Sequence, residues 1–149
     1  MWRMGPRMSN SQGAPCELVR FLNVDVDLSG VLDPVTLVGG FGDAIVVLHE
    51  EEAPLGHVIS FELTAMHLTL PDTITSLIEQ VNALPAEARA LWDSATRRVF
   101  NVGVQAGLGP YRTEWALGVE ALFALASINA ELVLTIYGAD RVGGRSSAP

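Results

Sequence analysis

The chain has 149 residues, one domain's worth, enough to bury about two-thirds of its unfolded surface around one core and too few for a second full domain. Apolar residues make up 49% and charged residues 17%, which excludes intrinsic disorder because there is ample side chain to offset the entropy of ordering. Seventeen acids against nine bases give a net charge of −8 and a pI near 4.7, the wrong sign for a binder of nucleic-acid phosphates or of anionic lipid.

The first sixteen residues, MWRMGPRMSNSQGAPC, have no periodicity and read as a disordered arm, or as spurious upstream sequence if translation starts at Met8. Residues 17–140 then form one patterned domain, and 141–149 read as a disordered tail. Residues 18–28 alternate Leu22, Val24, Val26 and Leu28 with Asn23, Asp25 and Asp27, which predicts a strand with one wet face. Asp33-Pro34 supplies an N-cap and a proline at the first helical position, opening a short helix through Val35 and Leu37 that ends at Gly39-Gly40. Residues 44–49 and 57–66 are two strands, the second alternating Ile59, Phe61 and Leu63 with Ser60, Glu62 and Thr64, and 50–56 joins them as a hairpin loop.

Past Leu70-Pro71, Asp72 or Thr73 caps a helix with Ile74, Leu77, Ile78, Val81 and Leu84 along one face. Pro85 then starts a second helical segment carrying Leu91 and Trp92, so a kink or a helix pair is expected. Residues 98–105 alternate as a fourth strand. Residues 113–129 read as a helix capped by Thr113, with Trp115, Val119, Leu122, Leu125 and Ala126 on its buried side, and Asn129 suits its C-terminal end. Residues 132–137 are a fifth strand.

The order β-α-β-β-α-β-α-β mixes hairpins with helical crossovers. It predicts an α+β fold: a five-stranded, mainly antiparallel sheet with helices packed on one face. Asp25, Asp27, Ser60, Glu62, Asn101 and Gln105 would then line an open, acidic sheet face.

The opening strand followed by LDPVTL, and the closing ALFALASINAELVLTIYGAD, resemble a family of small bacterial α+β domains of unknown function. The likeness spans most of the chain between Val19 and Asp140, although the usual Leu-Gly after the short helix is here Val38-Gly39-Gly40. It implies the same fold class and supplies no catalytic residues. Some similar small acidic proteins are immunity partners of bacterial toxins.

All nine bases are arginine and none is lysine, which removes Schiff-base, ammonium-base and Walker-type chemistry and is consistent with a GC-rich bacterial genome. One cysteine, Cys16, allows no internal disulfide. No apolar run reaches the roughly 18 residues of a spanning helix, and the opening lacks a signal-peptide centre, so the cytoplasm is the expected compartment. His49 and His57 flank Glu50, Glu51 and Glu52, a candidate cluster of imidazoles and carboxylates. The spacing matches no ligand motif, and neither metal nor cofactor is assigned. His67 reads as structural, and the glycine-rich stretches match no phosphate loop.

The first functional reading is therefore a non-catalytic cytoplasmic module that binds another protein, in its sharper form an immunity-type acidic partner of a basic toxin. Its candidate contacts are Asp25, Asp27, Glu50, Glu51, Glu52 and Glu62, with Tyr111 and Arg112 in the Gly/Pro loop as interface-prone residues. The alternative is a small enzyme or small-ligand sensor using Asp25, Asp27, Glu62 or the histidines. A homo-oligomer built through sheet faces or edge strands is the third reading.

Overall fold

The computed structural model describes residues 18–66 and 69–139, so the expected arm and tail, Cys16 and His67 lie outside the described residues. The alternation at the start of the chain becomes β1 (Arg20–Gly30), whose Val24, Val26 and Leu28 are buried while Asn23, Asp25 and Asp27 stay half-buried on the other face. β1 is the middle strand of a five-stranded sheet in the order β2-β3-β1-β4-β5, with β2 (Ile45–Ala53), β3 (Gly56–Leu63), β4 (Arg97–Gln105) and β5 (Glu131–Tyr137). Every pairing is antiparallel except β4 with β5. The expected α+β fold with a mainly antiparallel sheet is what the chain adopts.

Asp33 caps α1 (Pro34–Phe41) as read from the sequence: its carboxylate accepts from the Val35 amide at 3.1 Å and the Thr36 hydroxyl at 2.6 Å. The Thr36 bond above all holds the Asp33 carboxyl below the usual aspartate range. Contrary to expectation, α1 does not stop at Gly39-Gly40. It runs on to Phe41 because Gly40 is where the helix lies against α3 (Ala86–Ser94), so close that an added Cβ would sit 2.4 Å from that of Ala88.

The expected loop at 50–56 is also a misreading. Glu50, Glu51 and Glu52 belong to β2, which turns into β3 over Pro54-Leu55 alone. Glutamate is a poor strand former, yet β2 is an edge strand, where charge is tolerated and repels stray pairing.

α2 (Leu70–Asn82) is capped one turn earlier than expected, by Thr69 rather than Asp72 or Thr73, with the Thr69 hydroxyl accepting from the Asp72 amide at 3.2 Å. Its stripe of Ile74, Leu77, Ile78 and Val81 is buried against the sheet. Pro85 separates it from α3, giving the helix pair. The last helix departs furthest from expectation. α4 covers Val119–Ser127, residues 113–118 lie outside any helix or strand, and Thr113 caps nothing. Of the five residues expected on its buried side, Leu125 alone is buried; Ile128 joins it in the core, while Val119, Leu122 and Ala126 are exposed and Trp115 is 38% exposed. Asn129 does follow the end of the helix, as expected, and does so in the left-handed conformation, with φ of 54°.

Trp92 is the hub of the core. Its ring meets Phe41 and Phe100 edge-on at 6.5 Å between centroids, and its Nε1 donates to the Ile128 carbonyl at 3.1 Å, tying α3 to the end of α4. Arg98 locks the same junction. Its Nη1 donates to the Trp92 and Ala95 carbonyls, each at 2.8 Å, and its Nε to that of Asn129 at 3.0 Å, so one guanidinium serves the C-terminal ends of two helices. Replacing Arg98 with Met strands these carbonyls and is expected to lower urea-derived stability by about 2 kcal/mol. Arg98→Lys should recover only part of the loss, since an ammonium cannot reproduce the planar fork; full recovery would contradict the shared-cap role.

Candidate functional site

Among the described residues all four α-helices lie on the side of Val24, Val26, Phe61 and Phe100 and leave the opposite face of the sheet open, and the chemistry of that face follows from register. Val26 stands opposite Phe61 and Asp27 opposite Ser60, which sets Asp25 beside Glu62; on the other flank Asp25 faces Asn101. The sheet therefore brings Asp25, Asp27 and Glu62 together, as the alternation implied. Asp27 accepts from the Ser60 hydroxyl at 2.5 Å, Glu62 accepts from the Asn23 amide, and Asn101 accepts from the Thr135 hydroxyl at 2.6 Å. Among the described residues, none of the three carboxylates is in an ion pair.

Asp25 bears the consequence. Partial burial, then the charges of Glu62 and Asp27, push its carboxyl above the usual aspartate range. Like charges directly opposite on adjacent strands destabilise a sheet. Because the folded state binds the Asp25 proton more tightly than the unfolded chain, its contribution is favourable below the ordinary aspartate value and is lost as pH rises through the raised one. Asp25→Asn is therefore expected to raise the melting temperature at pH 7, with the gain shrinking as pH falls through the raised value and gone below about 4, the ordinary aspartate value. Equal gains at both ends of the range would refute the raised Asp25 carboxyl.

The glutamate run does not act as one patch. Glu51 lies opposite Val58 on the open face, whereas Glu50 and Glu52 pair with Ile59 and His57 on the other side. The candidate His49–His57 cluster is divided in the same way. His49 stands opposite Ser60 on the open face, because β2 bulges between Val47 and His49, and His57 points to the opposite face. His49 is held by Glu51 at 3.2 Å. Among the described residues, no three His, Cys, Asp or Glu side chains stand close enough to hold a metal ion.

Tyr111 is fully exposed, and Arg112 pairs with Glu114 at 2.5 Å; no hydrogen bond or ion pair joins either to the open-face carboxylates. The cation that does stand on this face was not singled out in the sequence. Arg97 forks onto Glu131 across the β4–β5 pair at 3.0–3.3 Å, holding the Glu131 carboxyl below its usual range. Beside it, Asp27, Ser29, Val58, Val99 and Asn101 line a shallow groove of about 390 Å³. The pairing of Val99 with both Asp27 and Glu131 would have placed Arg97 here, but register is not readable before the strands are aligned.

Among the described residues, no helix is long and apolar enough to cross a membrane. No family model, curated protein or solved structure matches the chain.

Proposed function

We propose that the chain is a non-catalytic protein-binding module whose open sheet face, with the adjoining β2 edge, receives a basic surface of another protein. In its sharper form it is an immunity-type partner that neutralises a basic toxin, in keeping with the resemblance to small bacterial domains of unknown function. The observation that carries the reading is the group Asp25, Asp27 and Glu62: three carboxylates side by side on a face that the described residues leave open, with no ion-pair partner among those residues, where partial burial and then the charges of Glu62 and Asp27 raise the Asp25 carboxyl. A guanidinium or ammonium from a partner would relieve that repulsion, so part of the binding energy is stored in the free protein. Glu51 and the net charge of −8 extend the same field and favour fast, salt-sensitive association.

The test is affinity capture with two baits, the native chain and the triple variant Asp25→Asn, Asp27→Asn, Glu62→Gln, at low and at physiological salt. The native bait is expected to hold a basic protein in near-equal amount, with recovery falling as salt rises, and the variant to lose it. A partner retained by the variant, or indifferent to salt, would refute the acidic-face reading.

A further inference from the structure

The edge opposite the glutamate-bearing β2 is built differently. Among the described residues β5 pairs with β4 on one side only, and the Tyr137 carbonyl accepts from the Ala106 amide at 2.8 Å, so the peptide groups of Tyr137 face β4. By strand alternation those of Val133 and Thr135 do too, and the N–H and C=O groups of Leu132, Leu134 and Ile136 point outward along the free edge. The side chains of these three lie on the helix-bearing face, in register with the buried Phe100, Val102 and Val104, yet remain 43%, 59% and 63% exposed. Leu132, Leu134, Leu122 and Trp115 rim one apolar groove of about 340 Å³ floored by Leu70 and Val102. α4 stops short of covering it, and Phe123 adds a further exposed ring at 76%.

We propose that this edge is where a second copy of the chain docks, β5 pairing antiparallel with its own counterpart about a two-fold axis at Leu134. Such pairing sets Leu134 against itself and Leu132 against Ile136, with the outward peptide groups exchanging hydrogen bonds as an isologous interface requires. Charge selects the occupant. Copies of net charge −8 repel wherever carboxylates meet, and β5 carries just one, Glu131, already neutralised by Arg97 and set opposite Tyr137 of the other copy. Area agrees: with roughly 200 Å² per large side chain, the exposed fractions amount to about 650 Å² per copy, near the roughly 800 Å² each partner gives to a standard interface. Monomers rarely leave so large a patch uncovered. The dimer would have a continuous ten-stranded sheet with both acidic faces free.

Sedimentation equilibrium of the full chain tests this. The native protein is expected to run at twice 15.9 kDa at micromolar concentrations, more tightly as added salt screens the mutual repulsion. Leu134→Lys, at an exposed site that leaves the core intact, should weaken self-association by at least about a hundredfold, with a far-ultraviolet circular dichroism spectrum like the native one and a melting temperature that no longer rises with protein concentration. Val46→Lys on the β2 edge should leave the dimer as it is. A native monomer up to about 0.5 mM, or a Leu134→Lys dimer of native affinity, would overturn the proposal, whatever else then covers the patch.

Discussion

Trp92→Ala is expected to cost about 4–5 kcal/mol, a large share of the roughly 5–15 kcal/mol that holds a domain of this size together, and to leave the protein partly unfolded at physiological temperature. Trp92 is fully buried. Its removal opens a cavity walled by Phe41 and Phe100, which are fixed to α1 and β4 and cannot both move in to fill it. The indole N–H adds a second loss, because the Ile128 carbonyl it serves is at the end of α4, away from water. Trp92→Phe separates the two: most of the ring packing survives and the carbonyl is orphaned, for about 1–2 kcal/mol. Trp115→Ala gives the contrast. With 38% of its surface exposed over the groove, it should cost about 1 kcal/mol or less to fold stability. Urea titrations of the three variants decide the matter, and equal losses at Trp92 and Trp115 would dismiss the hub assigned to Trp92.

The two tryptophans also mark where the sequence could be read and where it could not. Elements whose burial follows from their own periodicity were legible: β1 and β3 alternate with period two, α2 steps by three and four, and Asp33-Pro34 announces a helix start by local hydrogen bonding alone. The same alternation placed Asp25, Asp27 and Glu62 on one face. Elements whose surroundings are set by distant chain were not. In α4 nearly every position is apolar, so no stripe distinguishes the side of Leu125 and Ile128, which is buried, from that of Val119 and Phe123, which is not. LVLTIY in β5 reads like a strand buried on both faces, the usual state beside a parallel neighbour, and nothing local reports that it forms an edge. Which face each of Glu50, Glu51 and Glu52 takes depends on a bulge at Val47/His49, since one inserted residue reverses every side chain beyond it. The acidic site was therefore half legible: its β1 and β3 members follow from alternation, its β2 and β5 members from register alone.

Gly56→Ala is expected to rival the tryptophan substitution, at about 3–5 kcal/mol, although it adds a single methyl group at a turn. Gly56 has φ of 139°, a conformation L side chains rarely adopt, and strain of that kind costs about 1–3 kcal/mol. The methyl would also stand 2.1 Å from the carbonyl oxygen of Gly30 and 2.6 Å from its carbonyl carbon. Those are backbone atoms, so no rotamer change relieves the overlap, and Gly30 is itself hemmed in, with Thr96 donating its amide to the Ser29 carbonyl at 2.8 Å next door. Either the β2–β3 hairpin lifts off the end of β1 or the register at His57 opposite Gly30 gives way. Gly39→Ala supplies the opposite sign from the same chemistry, since it lies inside α1 with nothing within 4 Å of its added methyl and should gain about 0.5–1 kcal/mol from helix propensity. Thermal melts of the two variants should thus move in opposite directions from the native midpoint. A Gly56→Ala protein melting within a degree or two of native would mean that the hairpin end can shift freely, and the tight closure of β3 on β1 would have to be abandoned.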